Sequence, residues 1–131
     1  MKKQIRRRNR SSHGWWIATI VQRFEYFDED VSNLNRRCTS WQNTILIQAR
    51  NRNQAFRKAV ANGKLGADSA CGPPDGRQGR WVFEGLSSLL PVYDKLEDGA
   101  ELIWEETPNI TVRTVKSRVR QKCELECFQD D

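Results

Sequence analysis

Histidine is almost absent from this sequence: the chain of 131 residues contains one, His13, and it lies in a basic N-terminal run. Nucleophilic catalysis of the Ser/His/Asp or Cys/His kind needs a histidine held beside the nucleophile. A solvated tail residue does not meet that need, so histidine-dependent mechanisms are set aside. Phosphate-binding glycine loops are also missing, because Gly72, Gly76 and Gly79 lie among prolines and not between a strand and a helix.

Long apolar runs and paired cysteines are missing as well. The apolar-leaning stretch 15–21 is far shorter than the ~20 residues of a membrane span, and no small-residue cleavage site follows it. We therefore expect no membrane contact and a cytoplasmic protein. The spacing of the four cysteines predicts reduced thiols, with no disulfide framework, metal site or cofactor. These cysteines are Cys38, Cys71, Cys123 and Cys127.

Charge is concentrated at the ends of the chain. Residues 1–10 contain six Lys and Arg and no acid, so the other 121 residues carry a net charge of −1 within the total of +5. We interpret residues 1–13 as a flexible basic arm, residues 14–128 as a single domain and residues 129–131 as an acidic end. A chain of this length buries roughly two-thirds of its unfolded surface, which is enough for one core.

Alternating apolar residues predict strands over residues 15–27, 41–49, 80–86 and 101–105, with a short strand near 92–93 after a helical turn at 87–90. In the first strand one face is expected to hold Trp16, Ala18, Ile20 and Phe24. In the second strand one side holds Trp41, Ile45, Ile47 and Ala49, and the other holds Gln42, Thr44 and Gln48. A helix capped by Asn51 or Asn53 and ended by Gly63 is predicted between the second and third strands. Thr111 begins a second helix that continues to Cys123. We expect an α+β fold, with a single mostly antiparallel sheet of four to five strands and two helices packed on one face. The loop over residues 64–79 has no periodic signal and is expected to be mobile.

Carboxylates and tryptophans supply the candidate site residues. Glu84 and Glu101 are the acids that could act in acid–base chemistry, although an outward-facing polar strand surface explains both without catalysis. Five tryptophans exceed what so short a chain usually contains, and aromatic residues are favoured at binding patches as well as in cores. We select Trp15, Trp41 and Trp104 as the candidates for exposure.

Cations at the two ends of the chain are an alternative binding surface. Contacts with phosphates are expected from the N-terminal arm and from the second helix. The aromatic and basic spacing of the known RNA-binding sheet motif is absent, and basic tails often serve solubility alone. The candidate nucleic-acid contacts are Arg6, Arg7, Arg8, Arg10, Arg118 and Arg120.

From Trp15 to Phe128 the chain resembles a bacterial family of small proteins, domain-of-unknown-function family 4288. Several stretches in a fixed order support the resemblance. They are Trp15-Trp16-Ile17-Ala18, the stretch 45–49 running to Ala55, Ala59 and Gly63, the stretches 81–86, 90–93 and 96–101, and the tail 111–119. The resemblance implies a compact cytoplasmic domain and transfers no catalytic residue. The arm, Cys71 and the Gly72-Pro73-Pro74 loop are outside it.

Taken together, these patterns favour a non-enzymatic interaction module that binds a protein or small ligand through an open sheet face or edge. The alternative is a nucleic-acid-binding protein that uses the basic arm and second helix. Either a monomer or a homodimer agrees with the sequence, because an exposed sheet edge permits dimerisation without requiring it.

Overall fold

The computed structural model describes residues 9–67 and 77–130, and within them the chain forms three strands and two helices. The α+β class is therefore confirmed. Residues 68–76, which include Cys71 and most of the loop predicted to be mobile, lie outside the described residues. The elements are β1 (Trp15–Tyr26), β2 (Ser40–Gln48), α1 (Arg52–Ala67), β3 (Gly79–Pro91) and α2 (Val112–Ser117), followed by single 3₁₀ turns at Lys122–Glu124 and Glu126–Phe128.

The strands form one antiparallel sheet in the order β2-β1-β3. Pairing between β1 and β2 runs in unbroken register from Trp15 opposite Gln48 to Arg23 opposite Ser40. Pairing between β1 and β3 contains two register shifts. The long first strand was predicted, and its four predicted core residues are all buried on one side of the sheet; they are Trp16, Ala18, Ile20 and Phe24.

Helix α1 covers that inner face. The Asn51 side chain accepts a hydrogen bond from the Gln54 amide at 2.8 Å, and the Gln54 side chain accepts one from the Arg50 amide at 2.7 Å. The first bond satisfies one of the amides that a helix start leaves unpaired, and the second holds the residue that precedes the cap. Of the two caps that the sequence suggested, Asn51 is therefore the one used.

Small side chains let α1 lie close to the sheet. Ala55 and Ala59 are fully buried against Trp16, Ala18, Ile47 and Ala49. Gly63 was predicted to end the helix, and that prediction is wrong because α1 continues to Ala67. Instead Gly63 is buried where a β-carbon would lie 2.3 Å from the Phe83 ring. Close packing, and not helix termination, explains the glycine.

The predicted count of four to five strands is wrong. Residues 87–90, predicted as a helical turn, belong to β3, and no separate strand forms at 92–93. Residues 101–105 form no strand and pair with no described strand. A strand needs a neighbour that supplies donors and acceptors, and the adjacent end of β3 contains Pro91, which has no N–H.

The second helix is shorter than predicted and does not pack on the sheet. Thr111 caps it as expected, accepting a hydrogen bond from the Thr114 amide at 3.2 Å. It ends at Ser117 instead of reaching Cys123, and none of its residues is buried. Of the two helices in the part of the chain that the structure describes, α1 is therefore the one that packs on the sheet.

None of the helices in the described ranges is both long enough and apolar enough to cross a membrane.

Candidate binding surfaces

The five tryptophans divide between core and surface. Trp16 and Trp81 are buried, and Trp15 is partly buried. Trp41 is 50% exposed and Trp104 is 56% exposed. The Trp41 ring contacts the Trp81 ring, with centroids 4.5 Å apart and an angle of 40° between the ring planes, on the face of the sheet that packs against α1. Trp104 lies beyond β3, so the structure does not join the candidate tryptophans into one site.

An apolar row crosses the sheet on the face opposite α1. Ile17 of β1 lies opposite Leu46 of β2 and opposite Leu90 of β3, so the three side chains share one face. Ile17 is 5% exposed, whereas Leu46 and Leu90 are 48% and 41% exposed. Sequence reasoning assigned this side of β2 to Gln42, Thr44 and Gln48 and overlooked Leu46. The alternation that placed those three residues also places Leu46 with them.

The row continues into a groove beside the end of β3. Leu90, Pro91 and Tyr93 form one wall, and residues 102–104 form the other. The groove encloses about 190 Å³. Leu102, Ile103 and Trp104 are each about half exposed. We call the row and the groove together the outer apolar face; it consists of Ile17, Leu46, Leu90, Leu102, Ile103 and Trp104.

Three arginines surround the carboxylate of Glu25 at the other end of the sheet. Its oxygens lie 3.0 Å from Arg23, 3.3 Å from Arg80 and 3.6 Å from Arg36. The hydrogen bond from Arg23 lowers the pKa of Glu25 below its ordinary value, and Arg80 adds to the effect. Arg36 also binds Glu29 at 3.2 Å. Glu84 binds Arg23 as well, so the cluster contains three arginines and three acids and its charges balance.

The two candidate acids do not form a catalytic pair. Glu84, on β3, binds Arg23 with an N–O distance of 3.2 Å. Glu101 follows the Gly99 turn, and its amide donates to Asp94 at 2.9 Å. Both acids are exposed. The two carboxylates therefore lie on the surface with different hydrogen-bond partners, and the structure does not bring them together.

A second cleft, of about 160 Å³, lies between the charge cluster and the loop before β2. Arg23, Arg36, Glu84, Leu34 and Cys38 line it. Its cysteine is exposed and unpaired, as are Cys123 and Cys127 among the described residues. In the ranges 9–67 and 77–130, no three His, Cys, Asp or Glu side chains cluster in a way that would hold a metal ion.

The candidate nucleic-acid contacts are scattered. Arg6, Arg7 and Arg8 lie outside the described residues, while Arg10, Arg118 and Arg120 are exposed. The structure adds α1 to these basic surfaces, with exposed Arg57, Lys58 and Lys64. Sequence reasoning missed this because it summed charge over the whole middle of the chain. Residues 36–67 hold seven cations and no acid, a signal that counting by element would have found.

Comparison with known proteins identifies the family. No curated protein and no solved structure matches the chain significantly. The family model described as "Domain of unknown function (DUF4288)" matches residues 15–104. That range contains β1, β2, α1, β3 and the groove, and leaves out the resembling tail 111–119. Since the match covers more than half of the chain, the protein belongs to the DUF4288 domain family.

Proposed function

We propose that this protein is a non-enzymatic binding module that holds a polypeptide on its outer apolar face. The main support is that half-exposed Leu46 and Leu90 lie on either side of the buried Ile17, and that Leu90 also lines the groove that reaches Trp104. Contiguous exposed apolar surface of this kind is typical of interaction sites. Aromatic residues such as Trp104 are enriched at them.

The dimensions of the surface favour a polypeptide over a small ligand. Pockets for small molecules usually enclose roughly 300–1,000 Å³, whereas the groove encloses about 190 Å³. A flat row of side chains beside a strand edge instead matches an extended chain, which adds main-chain hydrogen bonds to side-chain contacts.

Selection from a random peptide library on the immobilised protein tests the proposal. Peptides recovered in this way should lose about tenfold or more in affinity when Leu46→Lys or Trp104→Ala is introduced, because central apolar contacts carry most of an interface's binding energy. Phe56→Ala is the matched control, since Phe56 is 53% exposed but lies on α1. Failure to select any peptide, or equal losses in the control, would count against the module.

A second candidate function, nucleic-acid binding, is favoured by the basic surface of α1. Arg57 and Lys64 lie on the side of the helix away from the buried Ala55 and Ala59, by helical periodicity. Together with the basic N-terminal residues they would supply phosphate contacts.

A further inference from the structure

Strand β2 leaves one edge of the sheet unpaired. The carbonyl of Thr39 accepts a hydrogen bond from the Phe24 amide at 2.9 Å, and the Ala49 amide donates one to the Gly14 carbonyl at 2.8 Å. Residues bonded to β1 alternate along an antiparallel ladder, and the register of β2 is unbroken. Gln42, Thr44 and Leu46 therefore direct their N–H and C=O groups away from β1, and the described part of the chain offers these groups no strand partner.

This edge lacks the features that usually prevent further pairing. β2 is nine residues long and contains no charged residue and no proline. The opposite edge, on β3, is interrupted by Pro91 and by two register shifts. Prolines, charges and bulges are the devices that protect sheet edges. Of the two edges, β2 is thus the one suited to accept another strand.

Residues 101–106 have the properties of the missing strand. Their sequence alternates Leu102 and Trp104 on one side with Ile103 on the other, between glutamates. The backbone of residues 102–110 makes no backbone hydrogen bond to any residue that the structure describes. Residues 102–106 are exposed, so their backbone donors and acceptors are available, whereas the Glu101 amide already donates to Asp94.

Charge complementarity identifies the partner of this segment. Residues 96–112 contain five acids and no cation. β2 is flanked by exposed Arg37 before it and by exposed Arg50 and Arg52 after it, and Lys58 donates to the carbonyl of Gln48. An acidic strand is attracted to this basic edge. Antiparallel pairing of β2 with a second β2 would instead place Arg37 beside Arg50, and like charges repel.

We propose that residues 101–106 of one copy add as a strand to the free edge of β2 in a second copy. Reciprocal exchange closes a two-fold dimer, with each copy donating one strand and accepting one. The proposal rests on the proposed function, because it names a second copy of this chain as the polypeptide that is bound. In the dimer residues 102–104 would leave the groove of their own copy, and Leu46 on β2 of the accepting copy would be their apolar neighbour on the outer apolar face.

Light scattering after gel filtration, over a hundredfold range of protein concentration, tests the dimer. The expected mass at high concentration and low salt is twice the 15.3 kDa of one chain. Thr44→Pro removes an amide that points away from β1, and it should weaken dimerisation about tenfold or more because the incoming strand loses a hydrogen bond. Thr44→Ala is the matched control: it also removes the hydroxyl bonded to Thr19 at 3.2 Å, yet it keeps the amide and should remain dimeric.

A double charge reversal provides an independent variant that leaves the sheet intact. Glu105 and Glu106 are exposed, so Glu105→Lys with Glu106→Lys should fold normally and also shift the equilibrium toward monomer. A mass of 15.3 kDa at every concentration, or a dimer unaffected by Thr44→Pro or by the charge reversal, overturns the inference. If the protein is a monomer but library peptides bind it and lose affinity in Leu46→Lys, the dimer proposal is wrong and the proposed binding function is still supported.

Discussion

At the scale of single residues, Glu25 shows how local charge is organised. Its side chain is 12% exposed and is shared by three arginines. A carboxylate in such surroundings is held ionised, and the pKa of Glu25 is accordingly lowered. The cluster connects the central strand with the loop before β2 and with β3, through Arg23, Arg36 and Arg80. It therefore tethers three parts of the fold.

Glu25→Gln should reduce stability in a pH-dependent way. Because the pKa is lower in the folded protein, the contribution of the carboxylate is fully present above the unfolded pKa, about 4.3 for glutamate. It is lost as pH falls through the folded value. Urea unfolding at a series of pH values measures the free energy of unfolding of both proteins. Near neutral pH the wild type should be more stable than Glu25→Gln, and this difference should disappear in acid. Glu84 has one arginine partner, so Glu84→Gln should lose less stability near neutral pH than Glu25→Gln. A stability difference for Glu25→Gln that does not change with pH would contradict the stabilising role of the ionised Glu25.

At the scale of elements, the contact between α1 and β3 depends on the absence of a side chain at position 63. The Phe83 ring occupies the volume that a β-carbon would need. Close-packed interiors accept little extra volume, and overpacking costs about 1–3 kcal/mol. Gly63 therefore sets how closely the helix approaches the sheet.

Gly63→Ala should lower the free energy of unfolding by about 1–3 kcal/mol, because the Phe83 ring must move. Gly66→Ala is the control on the same helix, since a β-carbon there meets its nearest atom at 4.0 Å. Alanine has the higher helix propensity, so that control should be as stable as wild type or more so. Denaturant unfolding followed by circular dichroism measures both, and a Gly63→Ala protein as stable as wild type would disprove the packing explanation.

At the scale of the whole molecule, charge is segregated by element and not only by chain end. Residues 36–67, which include β2 and α1, are purely basic in their charged residues, and residues 96–112 are purely acidic. Such separation creates fields that select partners and accelerate association. Both the strand exchange and the nucleic-acid alternative depend on it, and they predict different responses to substitution.

If the protein binds nucleic acid, the affinity for a labelled single-stranded RNA should fall steeply with salt. Engagement of all six cations in residues 1–10 gives a log–log slope of about −4 to −5, and deletion of that arm should remove most of it. Arg57→Glu with Lys64→Glu should reduce the slope further if α1 takes part. Lys95→Glu is a control outside the basic surface, on an exposed residue. Fluorescence anisotropy at two salt concentrations measures the affinity for the RNA. If the intact protein shows no salt-dependent binding, the nucleic-acid alternative is eliminated.

Local sequence patterns predicted the elements whose apolar alternation is clear or whose cap lies next to them in the chain. The alternation of Trp16, Ala18 and Ile20 predicted β1 and its buried face, and Asn51 was one of two predicted helix caps. The same patterns failed at residues 101–105, where the alternation is present but no neighbouring strand supplies hydrogen bonds. They also failed at Gly63, because the ring that requires a glycine is contributed by β3, twenty residues further along the chain.

Local patterns sufficed for the α+β class, for strand β1, for the start of helix α1 and for the family, because periodicity and caps act within a few residues. The assembled fold was needed to know which tryptophans are buried, that Leu46 and Leu90 flank Ile17, and that β2 has a free edge among the described strands. Those features depend on strand order and register, which bring together residues far apart in the chain. Pairing across a sheet is a non-local choice, so it becomes visible only when the strands are assembled.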